Sequence, residues 1–167
     1  MENALPTLII GALLLVASAV MTHANVQAHD QLSRSFRDME ARLGYRAQSQ
    51  LTVAETSLDP ERDTLSLSLF NAGQTRLSGY SMMDVIVVYE TAGGRQTKWL
   101  PFAGGAPAAD AWDIVSIEAD LFEPGLLNPG ETAEVVVHLS EPALEGQTHR
   151  IVIVSDAGVV TSAPFTS

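Results

Sequence analysis

The sequence predicts an α+β protein in which a long N-terminal apolar α-helix precedes an antiparallel, immunoglobulin-like β-sandwich of about seven or eight strands. Three observations point to this class. Residues 3–29 contain no Asp, Glu, Lys or Arg, an apolar stripe with helical spacing follows them, and from residue 47 onward the hydrophobic period changes to two. We therefore assign residues 1–45 to a helical domain and residues 46–167 to a β-sandwich, here called the head.

The N-terminal apolar run is long enough to cross a bilayer. Of the 18 residues from Ala4 to Met21, 14 are apolar, and a bilayer core about 30 Å thick needs roughly 20 apolar residues of helix. Ala17-Ser18-Ala19 resembles the cleavage site of a signal peptide, but the residues before the run include Glu2 and no basic residue, unlike a signal peptide. A membrane anchor and a helix buried against copies of itself both satisfy such a run.

An amphipathic segment extends the helix beyond the apolar run. We predict one helix from about Leu8 to Leu43, about 54 Å long, that ends at Gly44. Gly44 is also expected to act as a hinge, because glycine adopts backbone conformations that other residues resist. The residues expected to pack against other subunits are Leu8, Ile9, Ile10, Leu13, Leu14, Leu15, Val16 and Val20 of the apolar run, and the four residues Leu32, Phe36, Met39 and Leu43, here called the stripe.

Short segments with strand patterns follow the helix, each bounded by turn residues. Leu51, Val53 and Glu55 are expected on one face of the first strand. Gly93-Gly94 predicts a hairpin turn, and residues 102–111 predict a long surface loop. The remaining predicted strands are Leu65–Phe70, Val85–Tyr89, Arg95–Leu100, Ile114–Ile117, Thr132–Leu139, Arg150–Val154 and Val159–Phe165. Their regular spacing is typical of an antiparallel sandwich.

The charge and the residue types disfavour several functions. The chain has 9 basic and 20 acidic residues and a formal net charge of −11, whereas nucleic-acid binding needs a basic surface. It lacks cysteine, so disulfides and thiolate sites are excluded. We therefore expect no enzyme activity, no cofactor, no metal and no nucleic-acid partner.

Three groups of acidic residues or histidines are candidate metal ligands. Asp59, Glu61 and Asp63 have calcium-loop spacing, but the sixth and twelfth positions of that loop are Thr64 and Phe70 rather than Gly and Glu. We interpret this segment as an acidic turn. Asp110 and Asp113 flank Trp112 in the predicted loop without a third ligand in register, and the four histidines lack metal-ligand spacing.

Two short motifs and the N-terminal run carry a family resemblance. The run is Leu8-Ile9-Ile10-Gly11-Ala12-Leu13-Leu14-Leu15-Val16-Ala17-Ser18-Ala19, and the motifs are Asn71-Ala72-Gly73-Gln74-Thr75-Arg76-Leu77 and Leu127-Asn128-Pro129-Gly130-Glu131. With the helix and the sandwich, they resemble the archaellin-like branch of the type IV pilin superfamily, which includes subunits of the archaellum (archaeal-type flagellum) filament and accessory proteins. Position 5 is Leu rather than the Glu of bacterial type IV pilins.

The resemblance implies a homopolymer whose helices form a filament core and whose heads form the outer sheath. It further implies a swimming filament at the cell surface, a precursor inserted in the membrane, and a basal membrane platform and motor as partners. Two alternatives stay open: a minor accessory or envelope-binding subunit of the same machinery, and an unrelated membrane-anchored immunoglobulin-like binding module.

Overall fold

The N-terminal helix is longer than its pattern predicts. In the computed structural model, which describes residues 4–105 and 108–167, helix α1 runs from Ala4 to Gln48. Its 45 residues span about 68 Å. The helix continues through Gly44, so the predicted helix end at Gly44 is wrong. One glycine inside a helix costs only about 1 kcal/mol, and contacts with the head hold the last turn after it.

Within the described residues eight strands follow α1, in line with the seven or eight that the sequence predicts, and a short 3-10 helix at Tyr80–Met82 lies between the second and the third. The strands are β1 Leu51–Leu58, β2 Thr64–Asn71, β3 Asp84–Thr91, β4 Gly94–Leu100, β5 Ala111–Ile117, β6 Thr132–His138, β7 Thr148–Val154 and β8 Val160–Thr166.

The strands form two four-stranded antiparallel sheets, in the order β1-β2-β6-β5 and β4-β3-β7-β8. Near one edge the sheets are joined by the Thr56 hydroxyl, which donates to the Pro164 carbonyl at 3.2 Å. At the other edge, the chain after β4 pairs with β5, where the Trp112 N–H donates to the Pro101 carbonyl at 3.0 Å. The predicted α+β class with a β-sandwich is confirmed.

The core of the sandwich comes from the strict alternation of the central strands. In β2, Leu65, Leu67 and Leu69 point inward, while the serines between them are only partly buried. Because side chains alternate across a strand, one face of each central strand is apolar. The fully buried side chains with the largest volumes are Trp112, Tyr89, Leu65, Leu69, Leu77, Leu100, Leu127, Ile151 and Ile153.

Two strands differ from their predicted pattern. A β-bulge between Val53 and Glu55 shifts the register of β1 and leaves Glu55 exposed, so the predicted alternation that places Glu55 on the face of Leu51 and Val53 is wrong. Strand β5 begins at Ala111, and Trp112 is a buried core residue rather than part of a loop. The local sequence around Trp112 has weak strand signals, and its burial depends on packing across the sandwich.

The chain divides into two compact units between Leu43 and Gly44. The first unit consists of α1 up to Leu43. The second, Gly44–Ser167, contains the last turn of α1 and the head. The boundary predicted from the sequence lies slightly later, between residues 45 and 46.

Candidate assembly surface

The apolar run of α1 is exposed along its whole described length. From Ile9 to Val20, every large apolar side chain is more than half exposed. The side chain of Leu8 lies outside the described residues, although its backbone is helical. Fully burying one large apolar side chain stabilises a structure by about 1.5–3 kcal/mol, so covering this surface contributes on the order of 10 kcal/mol per chain. Such a surface strongly favours a nonaqueous environment.

The exposed side chains surround the helix instead of forming one face. Leu13, Leu14, Leu15 and Val16 are consecutive, and at 3.6 residues per turn they point in four directions. Within the described residues, one helix is long and apolar enough to span a membrane by length and composition, and it is α1. A run that is apolar on all sides needs apolar neighbours on all sides.

Several polar side chains of α1 are hydrogen-bonded within the helix itself. The Thr22 hydroxyl donates to the Ser18 carbonyl at 2.9 Å, and the Ser35 hydroxyl donates to the Gln31 carbonyl at 3.0 Å. Gln27 and His23 pair through their side chains at 2.9 Å. Because an unsatisfied polar group in an apolar medium is costly, these bonds suit the helix to packing in lipid or against other helices.

The stripe is also exposed, and charged residues border it. Each of its four side chains is more than half exposed. By helical geometry, Arg42 and Arg46 border one side of the stripe and Glu40 the other. In the part of the chain that the structure describes, the ion pairs all join residues of the head, and no arginine of α1 has a carboxylate partner.

The last turn of α1 is held by the Asn71–Leu77 motif. The Ser49 hydroxyl donates to the Tyr45 carbonyl at 2.8 Å and pairs with the Thr75 hydroxyl at 2.6 Å. The Gln74 N–H donates to the Gln48 carbonyl at 2.7 Å. A Cβ at Gly73 would lie 2.6 Å from that same carbonyl oxygen. The motif therefore caps the Gln48 carbonyl, one of those that a helix leaves without partners at its end, and holds Ser49, which caps the Tyr45 carbonyl.

The contact between this motif and the last turn of α1 was not predicted from the sequence. The residues of the motif carried the family resemblance, but nothing in a linear pattern indicates that Gly73 and Thr75 contact the end of a helix. Gly44, by contrast, has helical backbone and open space around its Cα. The left-handed conformation for which glycine was expected there is absent, and the hinge remains a prediction.

The acidic residues singled out from the sequence have local partners. The Asp59 carboxylate accepts the N–H groups of Asp63 and Thr64, both at 3.1 Å, which fixes the β1–β2 turn. The Asp113 carboxylate accepts the N–H groups of Gly105 and Ile114. Among the described residues, no three His, Cys, Asp or Glu side chains lie together as metal ligands.

Asp110 belongs to a charged cluster that ties three segments together. Both of its oxygens accept hydrogen bonds from the Lys98 ammonium at 2.9 Å, and Oδ1 also accepts the Ser140 N–H at 3.0 Å. Burial alone would raise the pKa of Asp110, but the hydrogen bonds from Lys98 and Ser140 outweigh burial and hold the pKa below its usual range. Burial likewise disfavours the charged form of Lys98, yet the hydrogen bond to Asp110 and the neighbouring Tyr89 raise its pKa.

Comparison with known proteins finds similarity among solved structures. No family model and no curated protein matches the chain. The archaeal flagellum of Methanospirillum hungatei strain JF1 matches with a TM-score of 0.62 and 15% identity, over 97% of this chain and 92% of that one. The fold is that of archaellum proteins.

Two further similar structures come from an archaellum stator. A chain of the archaellum periplasmic stator protein complex FlaF and FlaG from Sulfolobus acidocaldarius matches with a TM-score of 0.53 and 23% identity, over 70% of this chain and 88% of that one. The archaellum periplasmic stator protein FlaG from the same organism matches with a TM-score of 0.51 and 24% identity, over 70% of this chain and 99% of that one. The filament match takes in most of the helix as well as the head, whereas the stator matches leave almost a third of this chain uncovered.

Proposed function

We propose that this protein is the subunit of an archaellum-like surface filament used for swimming motility, and that it polymerises through α1. The observation that carries the proposal is the exposed helix surface, apolar on all sides over the run and continued by the stripe. In this proposal the run lies in the membrane before assembly, and the basal membrane platform and motor of the filament machinery are its other partners. The similarity to the Methanospirillum filament over 97% of the chain supports it.

The length of the exposed apolar surface favours a polymer over a simple anchor. A bilayer core is about 30 Å thick, whereas α1 spans about 68 Å. An anchor covers the apolar run with lipid, but the stripe lies beyond the run, among charged residues. A polymer covers both segments with neighbouring subunits, because helices of other copies surround the run and other copies also reach the stripe beyond it.

A stator-type or other accessory subunit is the second candidate. Its support is the higher identity to the Sulfolobus stator chains, 23–24% against 15%, with nearly all of the FlaG chain covered. In that role, α1 anchors a head that binds another component, and the protein forms discrete particles. A membrane-anchored binding module outside this machinery predicts the same particles.

The state of assembly separates these candidates. The full chain is purified in detergent, the detergent is removed, and the product is imaged by negative-stain electron microscopy. We expect long helical filaments. Discrete particles from the unaltered chain would favour the accessory role and overturn the proposed filament.

A substitution in the run tests where the cohesive surface lies. Leu14→Asp should abolish filaments, because an unpaired carboxylate in an apolar bundle costs several kcal/mol per subunit. Val160→Asp is the matched control, since Val160 is 61% exposed on the head, and filaments should persist. Normal filaments from Leu14→Asp would exclude residue 14 from the core of the polymer.

A further inference from the structure

The loop between β5 and β6 presents two large apolar side chains to solvent. Leu121 is 91% exposed and Phe122 is 70% exposed. We call this pair the tip. Exposed apolar residues are ordinary when single, but two adjacent large ones form an apolar patch of the kind that marks interaction sites. Aromatic side chains are also enriched where proteins bind one another.

The loop holds the tip in one conformation. Ala119 and Glu123, on either side of the tip, have φ of 55° and 51°, a left-handed conformation that residues other than glycine adopt rarely. Arg76 donates to both oxygens of Glu123 at 2.7 and 2.8 Å. The Asn128 side chain donates to the Phe122 carbonyl at 2.5 Å. These hydrogen bonds hold the loop in a conformation that exposes the tip. The tip therefore loses little conformational freedom when it binds.

An open cavity of about 260 Å³ lies at the base of the loop. Its wall combines apolar side chains, including the exposed Val115, with the polar side chains of Ser116 and Asp120. Tyr80, also in the wall, donates its hydroxyl to the Gly125 carbonyl at 3.2 Å and so supports the loop. The other lining residues include Phe102, Ile114, Ile117 and Gly125. The surface thus combines a projecting apolar pair with a recess that accepts a large side chain.

The charge around the tip identifies its complement. Residues 110–145 contain nine acidic residues and no Lys or Arg. Within the part of the chain that the structure describes, three of the nine are ion-paired. Asp120 and Glu123 flank the tip directly. Glu123 is already paired with Arg76, so the negative charge beside the tip that has no ion pair in the described chain is that of Asp120. The stripe on α1 is an exposed apolar row with Glu40 along one side and Arg42 and Arg46 along the other, and these two arginines have no carboxylate partner among the described residues. Complementary rims of this kind select a partner and speed association.

We propose that the tip of one subunit docks on the stripe of α1 of a second copy. Leu121 and Phe122 would pack against the stripe, a stripe side chain would enter the cavity, and the arginines beside the stripe would face the acidic rim. The two surfaces lie on different elements of the same chain, and in this proposal each subunit offers its tip to one neighbour and its stripe to another, which makes the contact heterologous. A heterologous contact that does not close into a ring propagates as an open helical filament. The inference rests on the proposed function and adds a second, head-to-helix contact to the helix bundle.

Cysteine cross-linking tests this contact directly, because the chain contains no cysteine. Leu121→Cys is combined in one chain with Leu32→Cys, Phe36→Cys, Met39→Cys or Leu43→Cys, and filaments of each full-length variant are oxidised. Disulfides form only where the two Cα atoms approach within about 7 Å. At least one combination should give a ladder of covalent oligomers on a non-reducing gel. A mixture of the two single variants should instead stop at dimers, since each chain then carries one thiol.

The controls separate this contact from other arrangements. Val160→Cys replaces Leu121→Cys in a matched set of double variants, and these should give no ladder above background. Filaments without a ladder from any of the four combinations would overturn the tip-to-stripe contact while leaving the proposed function standing. Dimers from Leu121→Cys alone would also overturn it, because the tip would then meet another tip.

The concentration at which filaments assemble provides a second test, in a variant whose tip has a smaller, polar side chain. Phe122→Ser should shorten filaments and raise the subunit concentration needed for assembly at least tenfold, with the head folded as judged by circular dichroism. Val160→Ser should leave that concentration unchanged. An unchanged assembly threshold for Phe122→Ser would overturn the inference. Failure of the unaltered chain to form any filament would overturn the proposed function itself, and this inference with it.

Discussion

Leucines in α1 and in the head have opposite environments. Leu14 in the apolar run is 66% exposed, whereas Leu65 in β2 is completely buried. The head folds by covering its own apolar side chains, with two sheets that each supply one apolar face. The run covers none of its side chains within the chain, because a single helix without a polar face has no internal partner. The head is thus stabilised by contacts within one chain. The run of α1 is stabilised by an apolar environment outside the chain.

Identical substitutions in the two regions should have opposite consequences for folding. Leu69→Asp places a carboxylate in the fully enclosed core and should destabilise the head by several kcal/mol, enough to unfold a domain of this size. Leu14→Asp should leave the unfolding midpoint of the head unchanged while it abolishes assembly. Urea unfolding of the full chain in detergent, followed by tryptophan fluorescence, measures both. A lowered midpoint for Leu14→Asp would show that the head depends on the run.

Two glycines near the end of α1 should respond oppositely to substitution by alanine, with smaller effects on stability. Gly73→Ala brings a methyl group to 2.6 Å from the Gln48 carbonyl oxygen and the Gln50 nitrogen, so we expect a loss of about 1–3 kcal/mol in the stability of the head. Gly44→Ala meets no atom within 4 Å and should strengthen the helix by up to about 1 kcal/mol. The same urea titration compares the two variants.

Gly44→Ala also tests the predicted hinge. If Gly44 bends during assembly, the alanine variant should form filaments of altered diameter or yield although its head is no less stable. Filaments identical to those of the unaltered chain would reduce Gly44 to an ordinary helical position.

The smallest expected effect concerns the charged cluster of the head. Lys98→Met removes the ammonium that donates to Asp110, and we expect a loss of about 1 kcal/mol, since about a third of the Asp110 side chain is exposed. The pKa of Asp110 is lowered, so its contribution is lost as the pH falls below about 4. The pKa of Lys98 is raised, so its contribution is present below about pH 10 and is lost as the pH rises beyond that value.

The measurement is the difference in unfolding free energy between Lys98→Met and the unaltered chain across this pH range. The difference should be constant between about pH 5 and 9 and shrink at both ends. A difference that persists at pH 2 would mean that Lys98 acts through its hydrogen bond to the Ser140 hydroxyl and not through the Asp110 carboxylate.

The elements with strong periodicity were predictable because their pattern and their environment agree. In β2, alternating leucines coincide with strict alternation of burial. The run predicted a helix because no strand or turn pattern interrupts it. Strands β1 and β5 were harder. The bulge that exposes Glu55 and the burial of Trp112 depend on partners distant in sequence, and no local pattern carries that information.

The candidate surfaces divide in the same way. Composition alone indicated that the run needs an apolar environment, since hydropathy is a property of the residues themselves. The tip was not predicted. In the sequence, Leu121 and Phe122 are two adjacent apolar residues, and only the conformation of the loop exposes them. The four stripe residues were predicted by spacing, but their exposure was visible only in the structure.

The sequence by itself determined that a helix apolar on all sides precedes a two-layer β-sandwich, and that the head is acidic. These properties depend on residue type and short-range periodicity, which are present before folding. Tertiary structure decided where α1 ends, how the Asn71–Leu77 motif holds its last turn, and which apolar side chains of the head remain exposed. Those outcomes depend on contacts between segments far apart in the chain. The hydrogen bond from Gln74 to Gln48 and the close approach at Gly73 hold the helix beyond Gly44, although glycine by itself favours a helix end.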